Sequence, residues 1–313
     1  MNSSDASAGA ETRSALRIVC GPTGAGKSAL SLALAGRHGL TILVADSRQV
    51  YRGFDIGTAK PTLAERRRVP HEGIDLADAT KRYNAAAWAA HATQVIARMG
   101  AAQVLVVGGT GLYLRALVQP LFEEPQLDSA RRAALATELD ALDTATLRRW
   151  VAHLDASRAA LGRTQLLRAL EVALLTGRRI SELHREAARE PRWRARWLVV
   201  DPGEQLHARI ERRLDAMLAA GWLDEVRGLA RTVQDDAPAW NACGYGAIRS
   251  LVRGSGNLEE TKRAILVSTR QYAKRQRTWF RHQLEGQAVT YIDPHSADAE
   301  AGADRWWQGG SAE

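Results

Sequence analysis

One octapeptide constrains this chain more than any other stretch. Gly21-Pro22-Thr23-Gly24-Ala25-Gly26-Lys27-Ser28 fits the pattern G-x-x-x-x-G-K-[ST], between an apolar run at 16–20 and an apolar-periodic run at 29–35. The order strand, glycine loop, helix predicts an α/β protein with a P-loop NTPase-like parallel sheet core flanked by helices. Glycines let the loop turn its N–H groups toward one point, the helix N-terminus adds partial positive charge, and Lys27 adds a full one. The loop is expected to hold a polyphosphate, with Ser28 placed to coordinate a magnesium ion bound to it.

A second apolar run, 41–45, ends in Asp46-Ser47-Arg48-Gln49. In open α/β sheets ligands lie outside the carboxyl ends of the strands, so Asp46 should face the crevice of the phosphate loop. Residues 55–61 follow without helical or strand periodicity and read as a loop with a functional role. A third buried strand, 104–107, closes with Gly108-Gly109-Thr110 where a P-loop NTPase normally carries a magnesium-binding acid. Thr110 offers a hydroxyl there instead, with two glycines to admit a ligand closely, while Asp201, after the apolar run 197–200, is the candidate for the missing acid.

The segmentation expected is a disordered tail at 1–15, a first part of the core at 16–118 and an all-helical insertion at 119–196. The second part of the core then runs over 197–295, followed by a flexible tail at 296–313. Strand signals vanish in the insertion, which with its edges carries fifteen Arg from Arg115 to Arg196. The last segment is rich in Ala, Gly, Asp and Ser and is expected to fray despite Trp306-Trp307. Arg209 and Arg213, spaced i, i+4 on a helix predicted over 205–220, share a face suited to clamping a phosphate. The helix predicted over 261–282 carries seven Lys or Arg and no acid, with Arg263, Arg270, Lys274, Arg277 and Arg281 in one stripe and Ile265, Tyr272 and Trp279 opposite. Such a single-sign stripe is the footprint of a nucleic-acid backbone, and it gives the overall charge of +8 a location. Two cysteines, Cys20 and Cys243, are too few for a disulfide framework or a four-ligand zinc site and fit a reducing cytoplasm. No stretch approaches the ~18 consecutive apolar residues of a membrane span.

With these pieces placed, the chain resembles the bacterial tRNA dimethylallyltransferases, the IPP transferase family. The resemblance rests on the phosphate loop, on Asp46-Ser47-x-Gln49-x-Tyr51 continuing to Asp55-Ile56-Gly57-Thr58-Ala59-Lys60-Pro61, and on Gly108-Gly109-Thr110-x-Leu112-Tyr113. Arg168-Ala169-Leu170-Glu171-Val172 and Thr269-Arg270-Gln271-x-Ala273-Lys274-Arg275-Gln276 complete it. It implies transfer of a dimethylallyl group from dimethylallyl diphosphate to the exocyclic amine of the adenosine 3′ of the anticodon, with release of pyrophosphate. The loop would then bind the diphosphate with Mg2+, Asp46 would accept from the attacking amine, and Thr110 would bond the diphosphate near the breaking bond. The tRNA anticodon stem-loop would be met by Asp46, Ser47, Arg48, Gln49, Thr110, Arg132, Thr164, Gln165, Leu166, Leu167, Arg168, Arg270, Lys274 and Arg277. The insertion and the basic helix are expected to grip opposite sides of it, and the protein is expected to be a cytoplasmic monomer. The chain departs from the family pattern at 160–165 and around Gly244-Tyr245, at Asn241 and Gly246, with Arg163 or Arg249 as replacements for the basic residues usual there. The rivals are a P-loop kinase acting on a nucleotide or small molecule, and an RNA-binding protein without catalysis.

Overall fold

The computed structural model describes residues 15–119, 127–186 and 192–309. The tail expected at 1–15 lies, but for Ala15, outside the described residues. Two compact units make up the chain, Met1–Gln119 with Pro191–Glu313, and Pro120–Glu190.

The first unit opens with β1 (Leu16–Cys20), α1 (Lys27–His38), β2 (Thr41–Ala45), α2 (Leu63–Arg68), β3 (His71–Glu72), α3 (Ala85–Met99), β4 (Val104–Gly108) and α4 (Gly111–Val118). The second unit holds α5 (Ser129–Asp140), α6 (Thr144–Leu154), α7 (Arg163–Thr176) and α8 (Ile180–Glu186). The first unit resumes with β5 (Ala195–Val200), α9 (Leu206–Ala219), α10 (Trp222–Thr232), α11 (Tyr245–Val252), α12 (Leu258–Gln283), β6 (Ala288–Ile292) and α13 (Ala299–Gln308).

Among the described residues all six strands are parallel, in the order β3-β2-β4-β1-β5-β6. Helices cover both faces of such a sheet, and β2 and β4, buried at every position, therefore read as unbroken apolar runs. The chain leaves β1 first toward β2, β3 and β4 and later toward β5 and β6. This reversal opens a crevice at the carboxyl end of β1, where the phosphate loop lies. Leu30 and Leu34 of α1 pack with Val19, Val44 and Val107 under that crevice.

The flexible tail expected from 296 is corrected over 299–308. There α13 buries Trp306 and Trp307 in the core cluster, and the Arg17 guanidinium lies 4.4 Å from the Trp307 ring centroid. Arg37 of α1 bonds Glu300 at 3.0 Å and also pairs with Asp304. The composition reads as loop, but two indole rings bury enough apolar area to outweigh it. The end of that tail, 310–313, lies outside the described residues. The second unit has its own core, including Leu139, Leu147, Val151, Leu166 and Leu170. Its buried Asp155 accepts the Ser181 N–H at 3.0 Å and the Ser157 hydroxyl at 2.8 Å, fastening the start of α8 to the end of α6.

Candidate active site

The phosphate loop runs from β1 into α1, with Gly24 and Gly26 at φ 78° and 98°, a region that favours glycine. Lys27 Nζ folds back and donates to the carbonyl oxygens of Gly21 at 3.0 Å and Pro22 at 2.8 Å. Burial, and then the nearby Arg213 cation, push its pKa down to about 8, against the pull of Asp46 and Cys20. The two arginines of α9 do converge on the loop: Arg209 Nε donates to Gly24 O at 2.8 Å and Arg213 Nη1 to Thr23 Oγ1 at 3.3 Å. Burial lowers the pKa of Arg213 and Asp46 opposes it, so three cationic side chains and one carboxylate share this crevice.

Asp46 begins a tight turn after β2, its Oδ1 accepting the N–H groups of Arg48 at 2.8 Å and Gln49 at 3.3 Å. The Ser47 N–H donates to Thr110 Oγ1 at 3.1 Å, tying the end of β2 to the end of β4. Gln49 Nε2 donates to the carbonyls of Thr58 at 3.1 Å and Ala59 at 3.2 Å and so fastens the 55–61 loop. Burial and then Asp46 push the pKa of Tyr272 on α12 up to about 12, against the pull of the nearby Thr110 side chain.

Sequence reasoning missed Gln276 as a site residue. Its Oε1 accepts the Thr23 N–H at 2.8 Å and its Nε2 donates to Gly109 O at 2.8 Å, so one side chain joins the phosphate loop to the β4–α4 turn. The available signal was a polar residue at a position of the buried face of α12, between Ala273 and Phe280. Gly108 and Gly109 line the cavity, and the glycines of that turn are also required by close packing. A Cβ on Gly108 would stand 2.1 Å from Ala45 O, one on Gly109 2.4 Å from Gln276 Nε2 and one on Gly111 2.3 Å from the Trp279 ring, so these positions admit β2 and α12 closely. Also missed were Glu225 and Tyr245. Glu225 Oε2 accepts the N–H groups of Asp55 at 3.0 Å and Ile56 at 2.7 Å, and the Tyr245 oxygen accepts that of Gly57 at 3.1 Å. These contacts set the 55–57 backbone from below.

A cavity of about 1050 Å3 is lined by Lys27, Ser28, Asp46, Arg213, Tyr272 and Gln276 among others. A smaller one of about 80 Å3 shares Thr23, Asp46, Arg213 and Tyr272 with it and reaches Cys243. Asp201 is not the missing magnesium acid. Arg277 Nε donates to its Oδ2 at 2.8 Å, and it lines a separate groove with Pro22. Among the described residues no three His, Cys, Asp or Glu side chains gather into a metal cage. The exposed Ser28 hydroxyl beside the loop nonetheless suits Mg2+, which usually takes few protein ligands and completes its shell with phosphate oxygens and water.

The residues assigned to RNA separate into groups. On α12 Arg277 is held by Asp201 and by Gly203 O, and Arg270 by Glu211, so these two are corrected from free cations to paired ones. Lys274, Arg263 and Arg281 are exposed. In the second unit Arg132 and Arg168 share Glu171, at 3.1 and 2.7 Å. Thr164 is exposed and Gln165 caps α7 through the Gly162 N–H at 3.1 Å, whereas Leu166 is wholly buried and Leu167 packs beside it, so Leu166 has no surface for RNA. Arg163 donates to Leu142 O at 2.7 Å and Asp140 O at 2.9 Å, and Arg249 to Asp235 O at 2.9 Å. Both are already engaged within the fold.

The family described as IPP transferase matches residues 49–283, well over half of the chain. The chain belongs to the IPP transferase family. It is similar to the tRNA dimethylallyltransferase of Anaeromyxobacter sp. (strain Fw109-5), 45% identical over 287 residues that span 89% of this chain and 94% of that protein. The crystal structure of full-length tRNA isopentenylpyrophosphate transferase from Bacillus halodurans matches at TM-score 0.65 and 29% identity, covering 95% of this chain and 98% of that one. A eukaryotic dimethylallyltransferase acting on tRNA shares the fold, with TM-score 0.76 and 24% identity over 92% of this chain and 77% of its own. The first two are named as a tRNA dimethylallyltransferase and a tRNA isopentenylpyrophosphate transferase, and nothing among them favours the kinase alternative.

Proposed function

We propose that the chain transfers a dimethylallyl group from dimethylallyl diphosphate to the exocyclic amine of the adenosine immediately 3′ of the anticodon in tRNA, releasing pyrophosphate. The observation that carries this is a single cavity with a cationic phosphate loop on one wall and the Asp46 carboxylate on another, in a member of the IPP transferase family. The diphosphate lies on the N–H groups of the loop, facing Lys27, Arg209 and Arg213. Negative charge grows on the departing oxygen as the allylic C–O bond breaks, and donors fixed at that position stabilise it most. Asp46 accepts the proton that the amine sheds as its nitrogen bonds to the allylic carbon, and Thr110 donates to the departing oxygen. Magnesium, held by Ser28 and the diphosphate, supplies further charge neutralisation when bound. The adenosine must leave its loop to reach so recessed a carboxylate, as bases do wherever chemistry is performed on them.

Among the described residues no helix is long and apolar enough to cross a membrane, and the two free cysteines suit a reducing compartment, so we place the enzyme in the cytoplasm. Incubation with labelled dimethylallyl diphosphate and unmodified tRNA should label the tRNA. Transfer of a phosphoryl group from ATP to a nucleotide or small molecule, with no prenyl label in tRNA, would overturn the assignment in favour of a kinase. Binding of tRNA without transfer would point to an RNA-binding protein instead.

A further inference from the structure

The turn from β6 to α13 reaches the phosphate loop. The Ile292 carbonyl at the end of β6 accepts the Asp201 N–H at 3.1 Å, and Asp293 Oδ1 accepts the His295 N–H at 2.9 Å, which folds Asp293-Pro294-His295 into an Asx turn. Arg209 and His295 both line the large cavity, with Arg209 Nη1 3.0 Å from His295 Nε2. A guanidinium can only donate, so this ring nitrogen accepts and the imidazole carries its proton on Nδ1. A second edge of the same guanidinium is also fixed, because Arg209 Nε donates to Gly24 O at 2.8 Å. Nη2 is left. Among the described residues it has no acceptor, and a Cβ on Gly26 would stand 2.8 Å from it and 3.4 Å from Pro294 Cβ. Nη2 therefore lies over the residue that opens α1, where phosphate oxygens meet the N–H groups of the loop.

We propose that His295 is a positioning residue for diphosphate binding, which by accepting from Nη1 holds the Arg209 guanidinium with Nη2 turned to the phosphate loop. The inference rests on the reading of that loop as the diphosphate site. A guanidinium is a rigid plane, so fixing Nε and Nη1 fixes the direction of Nη2. An arginine held in this way has already lost much of the rotamer freedom that binding an anion would otherwise cost. No carboxylate pairs with Arg209 among the described residues, so its charge is left for a ligand. The turn that carries His295 is itself anchored, since Ile292 packs on the sheet core on one side and Trp306 and Trp307 of α13 are buried in it on the other. The C-terminal segment thus becomes a working part of the site, although it lies beyond the residues 49–283 that match the family. His295 touches the diphosphate only through Arg209 and exchanges no proton with it.

The test is a double-mutant cycle on the Kd for inorganic pyrophosphate, measured by calorimetry on the full chain with Mg2+ present, for wild type, His295→Ala, Arg209→Ala and the double variant. Loss of the hydrogen bond that holds Arg209 should weaken pyrophosphate binding about three- to tenfold in His295→Ala. His295→Gln should recover binding to within about twofold of wild type, because the amide oxygen can accept from Nη1 as the ring nitrogen does. In the Arg209→Ala background, His295→Ala should add less than about twofold. A turn that merely loosened would lose binding in both backgrounds and would not be rescued by Gln. An unchanged Kd in His295→Ala, a loss that His295→Gln does not recover, or an equal loss in the Arg209→Ala background would each overturn the inference. A wild-type protein that binds no pyrophosphate, or that leaves tRNA unlabelled by prenyl donor, would instead overturn the assigned site or reaction, so the failures are distinguishable.

Discussion

Replacing Lys27 with Met is expected to stabilise the unliganded protein while abolishing transfer. Lys27 holds its ammonium under a phosphate loop with Arg213 nearby, which lowers its pKa from 10.5 to about 8. At about 1.4 kcal/mol per pH unit, that drop corresponds to a penalty on the order of 3 kcal/mol for keeping the folded state charged at neutral pH. Part of the side chain faces the cavity, where water screens the charge, so the gain on removing it should be about 1–2 kcal/mol. The sign with pH follows from proton counts. Between about 8 and 10.5 the unfolded chain holds the Lys27 proton and the folded protein has released it, so the Lys27 penalty is full below pH 8 and fades as pH rises through that window. Chemical denaturation without donor, followed by tryptophan fluorescence at pH 7 and at pH 9.5, should show the variant more stable at pH 7. The gap should shrink by more than half at pH 9.5. For wild type, the same titration predicts that kcat/KM for dimethylallyl diphosphate falls as pH rises past about 8, because a neutral amine no longer attracts the diphosphate. A variant less stable than wild type at pH 7, or a gap that does not narrow, would show that the bonds to Gly21 O and Pro22 O outweigh burial and would refute the reasoning.

Other perturbations probe other parts of the site. Asp46→Ala should lower turnover by about 10²–10⁴-fold with tRNA affinity nearly intact in a filter-binding assay, and Thr110→Ala should act similarly but less. A change confined to the tRNA binding constant would make Asp46 a positioning residue. Gln276→Ala leaves the Thr23 N–H and Gly109 O without their bridge, so it should destabilise the fold by about 1–3 kcal/mol and raise KM for the donor. An unaltered melting temperature and KM would show the bridge to be dispensable. Exchanging Arg263, Lys274 and Arg281 for Gln should weaken tRNA binding and flatten its salt dependence, by about one unit or less in slope for each lost phosphate contact. Arg270→Gln and Arg277→Gln should instead reduce stability more than affinity, since Glu211 and Asp201 lose their partners. Normal tRNA binding by the first set across a salt titration would remove α12 from the RNA surface.

The parts of the site legible in the sequence were those whose chemistry is local. The phosphate loop is a contiguous motif, and Asp46 and Thr110 end apolar runs long enough to identify β2 and β4. What the sequence hid depends on partners far along the chain. Gln276 looks like an ordinary polar helix residue until its bonds to Thr23 and Gly109 are seen. The helical wheel set Arg270 and Arg277 in a basic stripe, but acids 59 and 76 residues away neutralise them. β6 escaped because an edge strand with two exposed positions has no apolar run to announce it. α13 escaped because small residues read as loop, although Trp306 and Trp307 anchor it on the sheet core.

The assigned reaction is tested most directly by mass spectrometric analysis of tRNA nucleosides from cells with and without this protein. Loss of the protein should remove the prenylated adenosine 3′ of the anticodon, and the wild-type gene should restore it where the Asp46→Ala variant does not. A prenylated adenosine that persists at its normal level without the protein, in cells with no second such enzyme, would contradict the account.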